Sequence, residues 1–144
     1  MHDMVEAMLR SNTLCVLCTE SKAMPHCSLM TYLLGEDGKT LYLTTSTNSR
    51  KYRNLKENEN VSLLIDSRQI LEPGSVEPVC SVTFEGVYFE IGDGHRTEEI
   101  RMQFQAQHPE LEQILSSESC RIIGVRLHAY LLLNGPVQEL QGKI

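Results

Sequence analysis

The sequence of 144 residues lacks the features that mark several large classes of protein. Its longest apolar runs, such as Tyr-Leu-Leu-Leu at 130–133, have the length of a strand, too short for a membrane-spanning helix. It has no extended basic tract and a formal net charge of −6, which disfavours nucleic-acid binding. The N-terminal residues are charged and mixed, unlike a signal peptide. We therefore expect a cytoplasmic protein whose partners include neither a membrane nor a nucleic acid.

Cysteine occurs in an odd number, at Cys15, Cys18, Cys27, Cys80 and Cys120. Without an export signal, this set predicts reduced thiols. Cys15-x-x-Cys18, with His26 nearby, raises the question of a metal site. Residues i and i+3 of a strand point to opposite faces, however, and no second pair exists. We therefore expect structural cysteines and no metal.

The sequence contains an alternation of short strands and helices without repeats or a linker, which predicts a single domain over 1–144. Predicted strands lie at 13–19, 26–34, 40–46, 61–67, 79–92 and 120–133, with a last short edge strand in Pro-Val-Gln-Glu-Leu. Predicted helices lie at 2–10, 49–58 and 94–107, with a further short helix from Pro109. The fold class is mainly β, and the short, evenly spaced strands favour a small antiparallel barrel with flanking helices.

For two of the predicted strands, the sequence also predicts which residues face the core. In 79–92 the apolar residues change parity, which predicts either a bulge near Glu85-Gly86 or burial of both faces. In 120–133 the alternation places one set of residues on the core face: Ile123, Val125, Leu127, Ala129, Leu131 and Leu133. Arg126, His128 and Tyr130 then fall on the opposite face.

The stretch Thr-Thr-Ser-Thr-Asn-Ser-Arg-Lys at 44–51 joins a strand to a helix. Thr47, Asn48 or Ser49 can be the N-cap. Arg50 and Lys51 then lie at the positive end of the helix dipole, where cations are unfavourable unless an anion is bound. The residue types alone leave two interpretations open, a phosphate site and a capped helix with solvated cations. The absence of glycine argues against a P-loop.

The block 36–66, together with Pro25-His26-x-Ser28 and Phe-Glu-Gly-Val-Tyr-Phe-Glu-Ile at 84–91, resembles the pyridoxamine 5'-phosphate oxidase-like, FMN-binding split-barrel family. The resemblance covers about 5–133 and is most specific at 40–65, where Ser-Arg-Lys is followed by Asn-Leu, Asn and Val-Ser-Leu-Leu. It implies a six-stranded antiparallel Greek-key split barrel. It also implies an obligate homodimer with FMN at each end of the subunit interface.

The resemblance further implies which residues bind the cofactor. The phosphate and ribityl end of FMN is assigned to Thr44, Thr45, Ser49, Arg50 and Lys51. The isoalloxazine ring is assigned to the strand that contains Ser28, Leu29, Met30 and Thr31. The chain departs from the family where a fifth-strand glutamine falls near Ser81. Arg126-Leu127-His128 has the letters of the authentic enzyme's substrate grip, but it lies inside an apolar strand of a chain without tryptophan, and we interpret the match as accidental.

These expectations lead to a functional hypothesis of an FMN-dependent oxidoreductase that reduces or oxidises a small organic molecule, with NAD(P)H as a candidate electron donor. The flavin does the redox chemistry, so no side chain is assigned a catalytic role. Two alternatives remain open. One is a flavin-binding or redox-sensing protein without turnover, and the other is the same barrel with deazaflavin or haem.

Overall fold

The computed structural model describes residues 1–144 and contains seven strands and four α-helices. The strands are β1 Leu14–Ser21, β2 Met24–Leu34, β3 Thr40–Ser46, β4 Asn60–Asp66, β5 Cys80–Glu90, β6 Cys120–Asn134 and β7 Gln138–Lys143. The helices are α1 Asp3–Ser11, α2 Arg50–Glu57, α3 Gly94–Gln107 and α4 Glu112–Leu115. Single-turn 3₁₀ helices occur at Ser67–Gln69 and Pro109–Leu111. The predicted elements are therefore all present, with ends shifted by a few residues.

All strand pairs are antiparallel, in the order β3-β2-β1-β4-β5-β6-β7, and β3 also pairs with β6. This last pairing closes six strands into a barrel. The same edge of β6 is shared by two strands, because Cys120–Arg126 pairs with β3 and Ala129–Asn134 pairs with β7. The expected mainly-β fold, a six-stranded antiparallel barrel with flanking helices, is confirmed.

The barrel is split because two of its strand pairs are short. β1 pairs with β4 only through Val16–Cys18, and β2 pairs with β3 only through Tyr32–Leu34. Since strands that stop pairing diverge, both seams widen beyond these residues. α2 packs against β1 and β3, and its Leu55 is buried in the barrel core.

The register shifts at the predicted position, between Glu85 and Gly86 of β5, but the additional residue belongs to β6. Glu85 pairs with Ala129 and Gly86 pairs with Leu127, so the additional residue is His128 of β6. An additional residue reverses the direction of every side chain that follows it. Tyr130 and Leu132 therefore join the core.

The predicted alternation of β6 is consequently correct through Leu127 and wrong after it. Ala129, Leu131 and Leu133 point to the outside of the barrel, where Leu133 is exposed. The reason is that Tyr130-Leu131-Leu132-Leu133 is apolar at every position. Either parity therefore buries a hydrophobic face, and the sequence does not distinguish between the two.

Two hydrophobic clusters hold the molecule together. The larger fills the barrel and includes α1 residues such as Val5 and Leu9, and Leu55 of α2. The smaller lies outside the barrel, where Ile100 and Phe104 of α3 and Leu115 of α4 cover Leu33 and Ile122. No helix is long and apolar enough to span a bilayer. The helices α3 and α4 thus cover one part of the outer surface, and the outward residues of β1, β4 and β5, with the neighbouring parts of β2 and β6, lie outside this cluster and form the uncovered outer face.

Candidate functional site

The start of α2 is built from hydroxyl groups. Ser49 is the N-cap, and its side chain accepts a hydrogen bond from the Tyr52 N–H at 3.2 Å. The hydroxyls of Thr45 and Ser49 are 3.1 Å apart. The Thr47 N–H donates to the Ser119 carbonyl at 2.8 Å, which fixes the β3–α2 turn to the segment before β6. Of the three predicted N-cap candidates, Ser49 is therefore the cap.

Arg50 and Lys51 stand at this helix start without an internal partner. Neither takes part in an ion pair or donates a side-chain hydrogen bond within the chain. The first turn of α2 has no acidic residue. Arg50 is exposed and Lys51 half-buried. Two positive charges therefore reinforce the positive end of the helix dipole, a combination that favours a bound anion.

The other two cations of α2 are engaged. Arg53 Nη1 donates to the Asn48 carbonyl at 2.8 Å, and Lys56 Nζ lies 2.7 Å from Glu90 Oε1. The hydrogen bond with Glu90 is the main reason that the pKa of Lys56 is raised. The hydroxyls of Tyr52 and Tyr88 donate to the same carboxylate. The cations in the middle of α2 thus stabilise the fold, whereas the cations at its start are available to a ligand.

The helix is held firmly to the barrel. The Asn54 Nδ2 donates to the buried Thr19 hydroxyl at 3.0 Å, and Asn58 Nδ2 donates to Glu20 Oε2 at 2.6 Å. Leu55 is buried in the main core. These contacts fix the position of the α2 start relative to β1, as a preorganised binding site requires.

The second predicted part of the site is a free strand edge. β2 pairs with β1 from Met24 to Thr31, but on its other side it pairs with β3 only from Tyr32. The edge that faces away from β1 is therefore unpaired over Met24–Thr31, which includes all four predicted residues. Leu29 is 70% exposed, Ser28 and Thr31 are half-buried, and Met30 is buried in the barrel. Met30 can therefore offer its backbone to a ligand, but not its side chain.

The threonines of β3 are less accessible than their neighbours. Thr44 and Thr45 are both buried, and Thr45 reaches the site through its contact with Ser49. The structure therefore brings Ser49, Arg50 and Lys51 together at the surface, with Thr45 behind them. This grouping is compatible with the predicted phosphate site, in which Thr45 supports the cap.

Two further residues named from the sequence lie elsewhere. Arg126 pairs with Thr40, whereas the other end of β3, Ser46, pairs with Cys120. β3 has seven residues, so Arg126 lies about 20 Å along the strand from the α2 start. Its guanidinium stacks 5.7 Å from the Phe89 ring and lies 3.9 Å from Asp37. Ser81 pairs with Asp66 and Leu133 on the outer face.

The structure also contains a cavity that the sequence did not indicate. It has a volume of about 320 Å³ and lies where α2, α3 and the start of β6 meet. Lys56, Arg101 and Arg121 line it, together with Tyr52 and Glu90. Lys56 is paired with Glu90 and Arg101 with Glu98, so Arg121 is the lining cation that lies in no ion pair. Its members come from four distant segments, so no local motif could have revealed it.

The cysteines and histidines form no metal site. No group of three or more His, Cys, Asp or Glu side chains is arranged to hold a metal ion. All five cysteines are free thiols.

Comparison with known protein families and solved structures identifies the family to which the chain belongs. The family model for pyridoxamine 5'-phosphate oxidase matches residues 1–130. No curated protein matches the chain. Among solved structures, a putative pyridoxamine 5'-phosphate oxidase from Listeria innocua has a TM-score of 0.70 and 24% identity, with 92% of this chain and 98% of that chain covered.

Two further structures resemble the chain at lower identity. A haem-binding protein from Mycobacterium smegmatis has a TM-score of 0.80 and 18% identity, covering 96% of this chain and 55% of that chain. An FAD-binding protein from Mesorhizobium loti has a TM-score of 0.71 and 16% identity, with coverage of 90% and 92%. These likenesses establish the fold. The family model, which spans most of the chain, shows that the protein belongs to the pyridoxamine 5'-phosphate oxidase family.

Proposed function

We propose that the protein is an FMN-binding oxidoreductase whose flavin phosphate lies at the start of α2. The observation that carries the proposal is the pair Arg50 and Lys51, which have no partner in the chain and no acidic residue in the first helical turn. A phosphate dianion at this position would pair with both cations and accept from the free N–H groups of the first turn. The unfavourable placement of two cations at a positive helix end then becomes favourable.

The rest of the flavin fits the free edge of β2. Unpaired backbone N–H and C=O groups along Met24–Thr31 match the donors and acceptors of a planar heterocycle. Leu29 offers an exposed apolar surface beside them. When bound, the flavin supplies two-electron redox chemistry, and the chain binds and orients it. The substrate is a small organic molecule, and NAD(P)H is the candidate donor.

We further propose that the protein is a homodimer formed through the uncovered outer face. Leu29, Val16, Leu64, Thr83 and Leu131 are directly opposite one another on successive strands and form a row across the sheet. Four of the five are apolar, although they lie outside the barrel. An apolar row beside an unpaired strand edge is typical of an association surface. A second copy on this face would enclose a flavin that one chain leaves open to solvent.

Haem is the second candidate cofactor, because the M. smegmatis neighbour is a haem-binding protein. A haem iron usually takes a histidine ligand. His108 is buried beside Glu110, His95 lies 3.3 Å from Glu99, and His2 caps α1. His26 and His128 remain as accessible ligands. FMN is favoured over haem because the cationic helix start fits a phosphate.

An absorption spectrum of the purified protein separates these candidates. We expect the visible absorption bands of oxidised flavin, either as purified or after addition of FMN and desalting. A Soret band would identify haem instead. A colourless protein that retains no added FMN would contradict the flavin proposal.

Turnover is tested separately with the flavin-loaded protein. Oxidation of NADH or NADPH in the presence of small electron acceptors is expected to exceed that of the apoprotein. Flavin binding without such turnover would instead support the alternative of a flavin-binding or redox-sensing protein.

A further inference from the structure

Two of the five cysteines face each other across a strand pair. Cys18 of β1 and Cys27 of β2 are directly opposite in the antiparallel register, and their Sγ atoms are 3.4 Å apart. Both are free thiols. Cys27 lies within the β2 edge proposed for the flavin, but neither cysteine side chain is assigned to the cofactor, and the inference uses only the contact between the two thiols.

The backbone geometry at this pair suits a disulfide. The Tyr32 N–H donates to the Thr13 carbonyl at 2.9 Å, which makes 13 and 32 a hydrogen-bonded pair. Hydrogen-bonded and non-hydrogen-bonded pairs alternate along an antiparallel ladder, so Cys18 and Cys27, five residues further along, form a non-hydrogen-bonded pair. The Cα atoms of such pairs are about 4.5 Å apart, within the range that a disulfide spans. Bond formation therefore needs no rearrangement of the strands.

The pair is also the accessible one. Cys27 is exposed and Cys18 half-buried, whereas Cys15, Cys80 and Cys120 are buried. Cys18 lines a shallow cavity of about 470 Å³, together with Pro25 and His128. This cavity gives a small molecule access to Cys18, and Cys27 is itself exposed to solvent.

The pair lies beside the apolar row, not in it. Cys27 and Cys18 begin a parallel row that continues through Ser62 and Glu85 and ends at Lys143. Glu85 and Lys143 are exposed. A partner on the apolar row would therefore have this polar row at its rim, where solvent reaches the thiols.

We propose that Cys18 and Cys27 form a reversible redox site that a small hydroperoxide oxidises to an intrachain disulfide. The Cys27 thiolate attacks the peroxide and takes one oxygen as a sulfenic acid, with release of water or an alcohol. The Cys18 sulfur then attacks the Cys27 sulfur and displaces hydroxide, which leaves as water. The net reaction consumes two thiols and one hydroperoxide and yields one disulfide, one water and one alcohol (a second water from hydrogen peroxide). An external dithiol reverses it by exchange.

The order of the two steps follows from the environments of the thiols. Burial, followed by the hydrogen bond with Cys27, raises the pKa of Cys18 to about 11. A thiol with a raised pKa carries little thiolate at neutral pH and is a poor first nucleophile. Cys27, which is more exposed, reacts first, and Cys18 resolves the sulfenic acid.

The test uses the full chain, reduced and desalted, in its native oligomeric state. After treatment with hydrogen peroxide, we expect the mass of the intact protein to fall by about 2 Da, the two hydrogens lost on disulfide formation. The remaining thiols are then alkylated. Peptide mapping is expected to recover a Cys18–Cys27 linked peptide, which dithiothreitol removes. Cys18→Ser and Cys27→Ser each abolish this peptide, and Cys120→Ala, which changes a buried cysteine, retains it.

Trapping of the sulfenic acid tests the order of attack. With dimedone present, Cys18→Ser is expected to give an adduct at Cys27, in at least about tenfold excess over any adduct at Cys18 in Cys27→Ser. Three results would overturn the proposal. In the first, Cys18 and Cys27 can still be alkylated after peroxide treatment. In the second, a disulfide forms only between other cysteines. In the third, an alkylating reagent cannot reach Cys18 and Cys27 in the native protein.

Discussion

Arg50 and Lys51 differ from the other cations of α2 in their surroundings, not in their type. Arg53 donates a hydrogen bond to the Asn48 carbonyl, and the charge of Lys56 is compensated by Glu90. Arg50 and Lys51 have no such partner, so their positive charges are available to a bound anion. Local sequence was enough to locate these residues, because capping and the helix dipole act within one turn.

We expect Arg50→Ala combined with Lys51→Ala to weaken FMN binding by roughly 100-fold or more, because two charge-assisted hydrogen bonds to the phosphate are lost. The melting temperature of the apoprotein is expected to stay the same or rise, because two repelling cations leave a positive helix end. Fluorescence titration of the apoprotein with FMN measures the affinity.

The matched control is Arg53→Ala combined with Lys56→Ala, which removes the same charge from the same helix. It is expected to change FMN affinity much less, while lowering stability through the contacts with Asn48 and Glu90. Equal losses of affinity in the two double variants would show a general charge effect and would reject the phosphate site.

Gly124 illustrates a residue whose role only the tertiary structure explains. It lies in β6 opposite Phe89, and a Cβ atom at this position would overlap the Phe89 ring. We expect Gly124→Ala to lower the free energy of unfolding by about 1–3 kcal/mol, the usual cost of overpacking. Urea unfolding measures the change.

Gly92 is the control, since a Cβ there would meet nothing within 4 Å. We expect Gly92→Ala to change stability by less than about 0.5 kcal/mol. In Phe89→Ala the clash is absent, so adding Gly124→Ala is expected to cost less than it does alone. Additive costs would contradict the proposed overlap.

Among the elements, α2 has the largest influence on the site, and Glu90 of β5 ties it in place. Tyr52 and Lys56 of α2 and Tyr88 of β5 all donate to the same carboxylate oxygen. Partial burial alone would raise the pKa of Glu90, but the hydrogen bonds from Lys56, Tyr88 and Tyr52 outweigh it and hold the pKa below its usual value. The carboxylate thus stabilises the docked helix in its ionised form.

A lowered folded-state pKa means that this stabilisation is complete above the usual pKa of a glutamate. It is lost as the pH falls through the folded-state value. We expect Glu90→Gln to lower the free energy of unfolding at pH 7 by about 0.5–1 kcal/mol, a modest value because the side chain is partly exposed. The difference in unfolding free energy between the parent and Glu90→Gln should shrink as the pH is lowered toward about 3, because carboxyl groups become protonated in that range.

Denaturant unfolding across this pH range provides the measurement. Glu85→Gln is the control on the same strand, because Glu85 is exposed and lies in no ion pair within the chain. A difference between Glu90→Gln and the parent that does not depend on pH would show that the ionised carboxylate is not what holds the helix.

The elements themselves were largely predictable, but the register between them was not. Alternation located six strands and the 3.6-residue period located the main helices, since both patterns are local. A bulge near Glu85-Gly86 was one of two alternatives, and the register does shift there, but the additional residue is His128 of β6, because pairing partners, not periodicity, decide which strand carries it. The same limit hid the cavity near Arg101 and Arg121, whose lining residues are distant in sequence.

For the whole molecule, the uncovered outer face is the feature with the largest consequence. α3 and α4 cover one side of the barrel, and the apolar row from Leu29 to Leu131 remains open on another. We expect Leu29→Asp to convert a dimer into monomers, because it places a charge in the exposed end of the apolar row at the proposed contact. Sedimentation velocity at micromolar protein concentration measures the change.

Met102 of α3 supplies the control, since it is 68% exposed and Leu29 is 70% exposed. Met102→Asp is expected to leave the oligomeric state unchanged. A parent protein that sediments as a monomer, or a Leu29→Asp variant that remains dimeric, would contradict the proposed interface.

The sequence by itself determined the short strands, the capped helix start and the position of Arg50 and Lys51 beside it. Each of these depends on residues within a few positions of one another. The tertiary structure decided the closure of β3 on β6, the reversal of parity at His128, the outward row of Leu131 and Leu29, and the approach of Cys18 to Cys27. The physical reason is that propensity, capping and periodicity act along the chain, whereas register and closure are set by packing between strands that are distant in sequence.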